Sequence, residues 1–470
     1  MVDASFTDLR SRDGSWGSSL NHVATNSPSG LLTGRLQNNE AKAWVTRFVG
    51  KEKVDVAVHA GQERVLLYGF DTLAIPVDGS TSASPSVNWL NTGAEASFQS
   101  FHKDSTAFNH TIDLSFGYMT NQEQGSERTL RTDISGFTHV GAERVQIDFE
   151  MQLDKSQVDT IQDINQAIVS LEPSITTYRG PLRARVGLGM AIDADRPSRD
   201  QLGQAFHVYP RATVDLNLLR DLFIPYLQFG GDLEANNLHS LRATNPFFNP
   251  SQLESVVVRN NQDVIADGFR STNKRFAFAG GIRGTLSDVI GFHGYASTAQ
   301  HEDFVLFKPT FDQDSITFSE FEATYDTLNI ATVGGELEIQ VSPKLQVKGS
   351  VQFRTFGNRP HEELWNLPRM TWDAKISYAL IDGLSLESRV QVVGSRYTLV
   401  PVPNVLEPGF TLRTEELPSY LDVNLSANYD YNERLGAWLT LANMSNARYA
   451  VWGGFPVQGF QVLAGVHYAF

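Results

Sequence analysis

Apolar and polar residues alternate along this chain over long stretches. In 421–431, Leu421, Val423, Leu425, Ala427, Tyr429 and Tyr431 alternate with Asp422, Asn424, Ser426, Asn428 and Asp430. In 145–153, Val145, Ile147, Phe149, Met151 and Leu153 alternate with Gln146, Asp148, Glu150 and Gln152. The same pattern runs through 182–190, 345–353, 372–380 and the C-terminal 460–470. Successive side chains of an extended strand point to opposite faces, so each block is a strand with one apolar and one wetter face. These blocks reach about ten residues, the length a tilted strand needs to cross a bilayer. Strands in water-soluble proteins average about five or six.

A soluble β-sandwich array or a propeller also uses many alternating strands. A propeller would show self-similarity at about 40–50 residues, and none is visible. Aromatic residues also gather near the strand ends on the apolar set, among them Trp372, Tyr378, Tyr429, Tyr431, Tyr468 and Phe470. That is the interfacial girdle of a membrane barrel.

Bulk composition does not oppose this reading. Apolar residues make up 41% of the 470 and mean hydropathy is -0.24, values an ordinary soluble protein would share. A membrane barrel reaches the same average because its polar residues line the lumen. No apolar run approaches the ~18 residues of a transmembrane helix. There is no cysteine, which excludes disulfides, Cys-ligated zinc and thiol catalysis. The net charge of -15 argues against a nucleic-acid partner. The opening "MVDASFTDLR" has neither the charged n-region nor the apolar h-region of a signal peptide. The expectation is that this numbering describes a processed or recombinant form of an exported protein.

Connections alternate in length. Short ones fall at 179–181, 220–221, 287–288, 342–343, 381–383 and 432–434, and long ones at about 234–274, 303–326, 357–367, 399–418 and 443–459. Tight periplasmic turns and long outer loops give that rhythm. The fold class expected is therefore all-β: a transmembrane antiparallel β-barrel of about 18 strands, an even number between roughly 14 and 20. Residues 1–29 read as an irregular extension and 30–470 as the barrel. The stretch 158–172 reads either as a short helical turn or as another strand.

The segment 441–470 resembles the C-terminus of TonB-dependent receptors, through Asn443, Asn446, Tyr449, Trp452, Pro456, Gln458, Gly459 and the terminal Phe470. The hairpin 378–397 is also similar to hairpins of that family, and the likeness extends loosely from about residue 60 onward. The resemblance implies a Gram-negative outer-membrane location. It also implies that the last strand, with Phe470, Tyr468 and Val466, is the signal read by the barrel-assembly machinery. The family carries an N-terminal plug preceded by a TonB-binding box. Nothing plug-like is found before the first barrel strands, so TonB coupling does not carry over and a plugless receptor-type barrel is expected.

Catalytic motifs are lacking: there is no G-x-S-x-G elbow, H-E-x-x-H or P-loop. His301–Asp303 and the "HEE" at 361–363 lack a second His at ligand spacing. The "GLG" at 187–189 lies mid-strand, where packing glycines explain it better than a phosphate loop. No cofactor or metal is expected. Arg183, Arg185, Arg354 and Arg389 share the wetter parity with Glu336, Glu338, Glu387 and Asp422, which makes these eight the candidate lumen-lining residues. Mixed signs argue for a wall whose charges pair across strands rather than for a single-sign pore. Asn245, Phe247, Phe248 and Asn249 of "NPFFN" are the candidate constriction loop. The expected function is a non-enzymatic transport barrel, passive or partner-gated. The alternative is a structural or docking subunit of an outer-membrane complex, with a lipoprotein or other outer-membrane protein as partner.

Overall fold

The computed structural model describes residues 2–8, 11–26, 35–66, 86–102, 106–121, 124–158, 161–194, 205–219, 221–250, 257–259, 263–265, 268–311, 319–357, 363–404 and 410–468. The strands are β1 (Val2–Asp8), β2 (Gly14–Asn26), β3 (Arg35–Val49), β4 (Glu52–Leu66), β5 (Ser86–Ser100), β6 (Asn109–Asn121), β7 (Gly125–Val140), β8 (Glu143–Val158) and β9 (Ile161–Arg179). They continue as β10 (Leu182–Ala194), β11 (Ala205–Leu216), β12 (Ile224–Glu234), β13 (Val257–Arg259), β14 (Asp263–Ile265), β15 (Thr272–Leu286), β16 (Ile290–Phe311), β17 (Ser319–Ser342) and β18 (Leu345–Gly357). The last are β19 (Met370–Ile381), β20 (Leu384–Val393), β21 (Arg396–Pro403), β22 (Phe410–Leu417), β23 (Tyr420–Asp430), β24 (Leu435–Ala442), β25 (Ala450–Trp452), β26 (Phe455–Pro456) and β27 (Gln461–Tyr468). One α-helix, α1 (Leu238–Thr244), follows β12.

Twenty-one of these strands form one sheet. Each pairs antiparallel with the next wall strand in the chain; the hairpins β13–β14, β21–β22 and β25–β26 stand outside the wall. The two ends of this meander, β1 and β27, therefore run in the same direction, and among the described residues no hydrogen-bonded pairing joins them. The protein is thus an all-β chain of long antiparallel strands, and no helix among the described residues is long and apolar enough to cross a membrane.

The strand count departs from the expected 18, and the first thirty residues are not an irregular extension. Val2–Asp8 and Gly14–Asn26 are strands, paired to each other and onward to β3. The 158–172 stretch is strand, the start of β9. The break expected at 303–326 is also displaced. β16 continues to Phe311 and β17 begins at Ser319, across a register shift between His301 and Phe304. Asp303 takes a left-handed conformation there, with φ 52°. A bulge moves every later side chain to the other face and so breaks the two-residue period without ending the strand.

The short connections lie where the spacing puts them. Gly180 and Gly383 hold φ of 59° and 79° in the β9–β10 and β19–β20 turns, a conformation that costs glycine little.

Register fixes two faces. The even positions of β8 carry Asp148, Glu150, Gln152, Asp154 and Ser156, and this inner face bears α1. The outer face bears the apolar set, much of it open: Val186 is 64% exposed, Leu227 70% and Val466 73%. An apolar face this open across adjacent strands is the lipid-facing band of a membrane barrel. Val466 and Tyr468 lie on it, and Phe470 lies outside the described residues.

Candidate functional site

The segment from Asn237 to Asn249 crosses the inner face at the long-loop end of the strands. Its helix begins with a local device. The Asn237 side chain accepts the Ser240 N–H at 2.8 Å, and the Ser240 hydroxyl accepts the Asn237 N–H at 2.9 Å. This reciprocal cap satisfies two of the amides that a helix start leaves open. Glu127 on β7 takes two more: the N–H groups of Leu238 at 2.7 Å and His239 at 3.0 Å donate to its carboxylate. Asp154 on β8 accepts from the Asn237 amide at 3.0 Å. Leu238 and Leu241 turn inward and are buried. Each such burial stabilises by ~1.5–3 kcal/mol.

The other end is held on the far strands. Phe248 bridges Phe321 of β17, the Asn249 N–H donates to the Phe321 carbonyl at 3.0 Å, and Phe321 N–H donates to Phe247. The Asn249 amide also donates to Glu320. Phe247 stacks on Phe455 at 3.7 Å between centroids, and Phe248 meets Phe307 edge-on at 6.0 Å. Arg242 lies over the Trp89 ring at 4.2 Å with Glu63 as its counter-ion at 3.6 Å. One apolar cluster thus joins strands far apart in the sheet: Trp89, Met119, Val158 and Ile164 on one side, Phe307 and Phe321 on the other, with Leu238, Leu241 and Phe248 between them. The outermost residues form a cap held by the chain's own strap, as a hydrophobic core would be.

The carboxylate at the strap's start is unusual. Glu127 is 2% exposed. Its outward-facing neighbours are Ser126 and Arg128, with Lys155 opposite Arg128, so this row lies beyond the apolar band. Burial, and then the charge of Asp154, push the Glu127 carboxyl up to about 7, against the hydrogen bonds from Ser156, His239 and Leu238. Burial likewise lifts Glu320 at the strap's other end above the usual carboxylate range.

Several chambers lie along the inner face. A cavity of about 580 Å3 sits against α1 and is lined by His59, Glu95, Glu127, Arg131, Glu150, Asp232 and His239 among others. A second, of about 430 Å3, is lined by Arg185, Arg211, Gln228, Lys274, Gln352 and Arg354 among others.

Register places all eight candidate lumen-lining residues on the inner face, and five pair across strands. Arg185 reaches Asp148 at 3.3 Å and Glu172 at 3.0 Å. Arg389 meets Asp373 at 2.8 Å, Glu387 meets Lys375 at 2.7 Å and Glu338 meets Lys348 at 2.9 Å. Glu336 lies 3.5 Å from His293. Arg354 donates to the side-chain oxygen of Gln352, and Asp422 accepts from the Asn424 side-chain amide. Arg183 occupies the same face opposite Asp215. Half-exposed pairs of this kind contribute little each. Replacing Arg185 with alanine should therefore cost ~1 kcal/mol or less in urea-induced unfolding, since Glu172 keeps Arg211. A loss several times larger would show that the pair is effectively dry.

Of the four constriction-loop residues, Asn245 and Phe248 are buried in the strap, and Phe247 and Asn249 hold its far end. His301–Asp303 does not gather as a ligand set: Glu302 bonds Arg275 and Asn273, and Asp303 pairs with Arg270. Residues 361 and 362 lie outside the described residues. Trp452, singled out by the C-terminal resemblance, packs edge-on against Phe307 and Phe321 in the cap. Sequence reasoning missed α1, Glu127 and Asp154. The signal for α1 was there, as Asn237 three residues before Ser240 with Leu238 and Leu241 at helical spacing. Glu127 and Asp154 carry no signature that separates them from other polar strand residues.

No protein-family model matches the chain, and no curated protein matches it by sequence. Solved structures do match in shape. The siderophore receptor PirA from Acinetobacter baumannii superposes with a TM-score of 0.72 at 9% identity, covering 100% of this chain and 77% of that one. The FrpB iron transporter from Neisseria meningitidis gives 0.70 at 10% identity, covering 99% and 80%. The copper transporter OprC gives 0.69 at 12% identity, covering 100% and 80%. The fold is that of these outer-membrane β-barrels. This agrees with the fold that the resemblance to TonB-dependent receptors implied, and at such identities the likeness extends to the fold alone.

Proposed function

We propose that the protein is a non-enzymatic transport barrel of the Gram-negative outer membrane, passive or partner-gated. In this reading its own Asn237–Asn249 strap narrows the outer mouth. The observation that carries it is the strap itself: one segment tied to β7 and β8 at one end and to β17 at the other, above two polar chambers. The paired charges of the inner face suit a wall in contact with water and small solutes. Among solved structures of this fold are a siderophore receptor and metal transporters, which supports solute passage as the role. Phe470, Tyr468 and Val466 are proposed as the signal for the barrel-assembly machinery.

Liposomes holding the purified chain should lose a small entrapped solute faster than protein-free liposomes. A variant with 238–249 replaced by a short Gly-Ser linker should leak faster still. Absence of flux from both would overturn the transport reading and leave the docking-subunit reading in its place.

A further inference from the structure

We propose that Glu127 and Asp154 form a proton-operated latch for the strap: α1 is held on the wall when the pair keeps a proton and lifts from it when the pair gives that proton up. The inference rests on the strap being the element that narrows the mouth, but the latch itself is read from contacts independent of transport.

The two carboxylates sit on adjacent strands, one register step apart on the same face: Glu127 is opposite Ser156, and Asp154 is opposite Thr129. Both are almost fully buried. Between them they take the Asn237 side chain and the first two amides of α1. Glu127 also accepts the Ser156 hydroxyl at 2.8 Å, and Asp154 the Thr129 hydroxyl at 2.7 Å. Thus the hydrogen bonds that the Asn237 side chain and the first two amides of α1 make to β7 and β8 all end on one of two acids, beside the apolar burial of Leu238 and Leu241. Phe247, Phe248 and Asn249 are anchored separately on β17 and the 450–456 hairpin, so the swing proposed for α1 leaves its far end in place and works against the packing of Leu238, Leu241 and Arg242 on the wall. The chamber of about 580 Å3 lies against α1, and the swing would open it to the outside.

The sign follows from where the proton binds more tightly. Docked, Glu127 is buried beside a second carboxylate and titrates near 7; released to water, it returns to the ordinary value of 4.5. A site whose affinity for protons is raised in one state favours that state at low pH. Docking is therefore strongest below about 4.5 and weakens as pH rises through about 7. Within that window the ratio of lifted to docked strap grows by roughly tenfold per pH unit. The other charged groups facing the pair are Arg131 and Glu150 on β7 and β8, Glu95 on β5, Asp232 and Glu234 after the bulge of β12, His59 on β4, and His239 on α1. Of these, His239 is exposed, and Glu150 is partly buried.

The chain has no cysteine, so two spin labels can be placed at will. Labels at His239→Cys, on the exposed side of α1, and Lys155→Cys, on the opposite face of β8, report the seat of α1 by pulsed electron resonance in nanodiscs. At pH 5 a single short distance is expected. At pH 9 a longer population should dominate. With Glu127→Gln added, neutral at every pH, the short distance should persist at both. With Glu127→Ala the long population should be present at both. An unchanged distribution between pH 5 and 9, a Glu127→Gln chain that still shifts, or a Glu127→Ala chain that stays seated would each overturn the latch. The distances are read without any solute crossing, so the latch and the channel reading can fail separately.

Discussion

Phe248→Ala should free the far end of the strap while leaving the barrel wall folded. Phe248 is 1% exposed, wedged between the Phe307 ring and the Phe321 backbone. Truncating a buried phenylalanine typically costs ~3–5 kcal/mol, part of it from the hole left behind. Here the cost falls on the docking of 245–249, because the wall strands pair through their own backbones. Hydrogen exchange should therefore rise by more than a hundredfold at the Asn249 and Phe321 amides, which bond across this bridge. Amides in the wall pairing of β17 with β18 should keep their protection. If the Asn249 and Phe321 amides stay protected, the strap is held elsewhere and the cluster around Phe248 is incidental. If β17 and β18 exchange with them, cap and wall are one cooperative unit.

The wall was legible in the sequence because its two faces meet different solvents. In β8, β10, β18, β19 and β23 every position assigned to the apolar set lies on the outer face, and the charged positions that alternate with it lie on the inner one, while Lys155 faces outward beyond the apolar block of β8. β1 was missed although it alternates cleanly: Val2, Ala4 and Phe6 face out, Asp3, Ser5 and Thr7 face in. Seven residues are too few to stand apart from a frayed tail. β2 was missed because its outward positions mix Trp16 and Leu20 with Ser18 and His22. The strap was only half legible. "NPFFN" stood out as an apolar loop core, which long loops rarely have unless they bury it. Its partners Trp89, Phe307 with Phe321, and Phe455 come from three distant parts of the chain, and no local pattern connects them. The latch was not legible at all. Glu127 differs from Glu150 only in what the tertiary fold lays over it.

Leu227→Arg should impair insertion severely, while the same change one residue on, Gln228→Arg, should be nearly silent. Leu227 is on the outer face of β12, opposite Val214 and Gly280, and its side chain lies across Gly280. Phe229 and Phe278 stack beside it with centroids 4.6 Å apart. An arginine there would sit among lipid tails, at ~2–4 kcal/mol if near the bilayer midplane. Gln228 faces the other way, opposite Thr213 and Ala279, and lines the chamber that already holds Arg211 and Arg354. A charge added there stays hydrated and should move stability by no more than about 0.5 kcal/mol. Urea titration of folding into phosphatidylcholine vesicles measures both. The pair tests more than one site. Neighbouring residues on a strand share depth, backbone and strand pairing, so a difference between them can come only from the solvent each face meets. Equal effects would mean that both faces of β12 meet water, and the membrane-spanning reading of this sheet would fall with them.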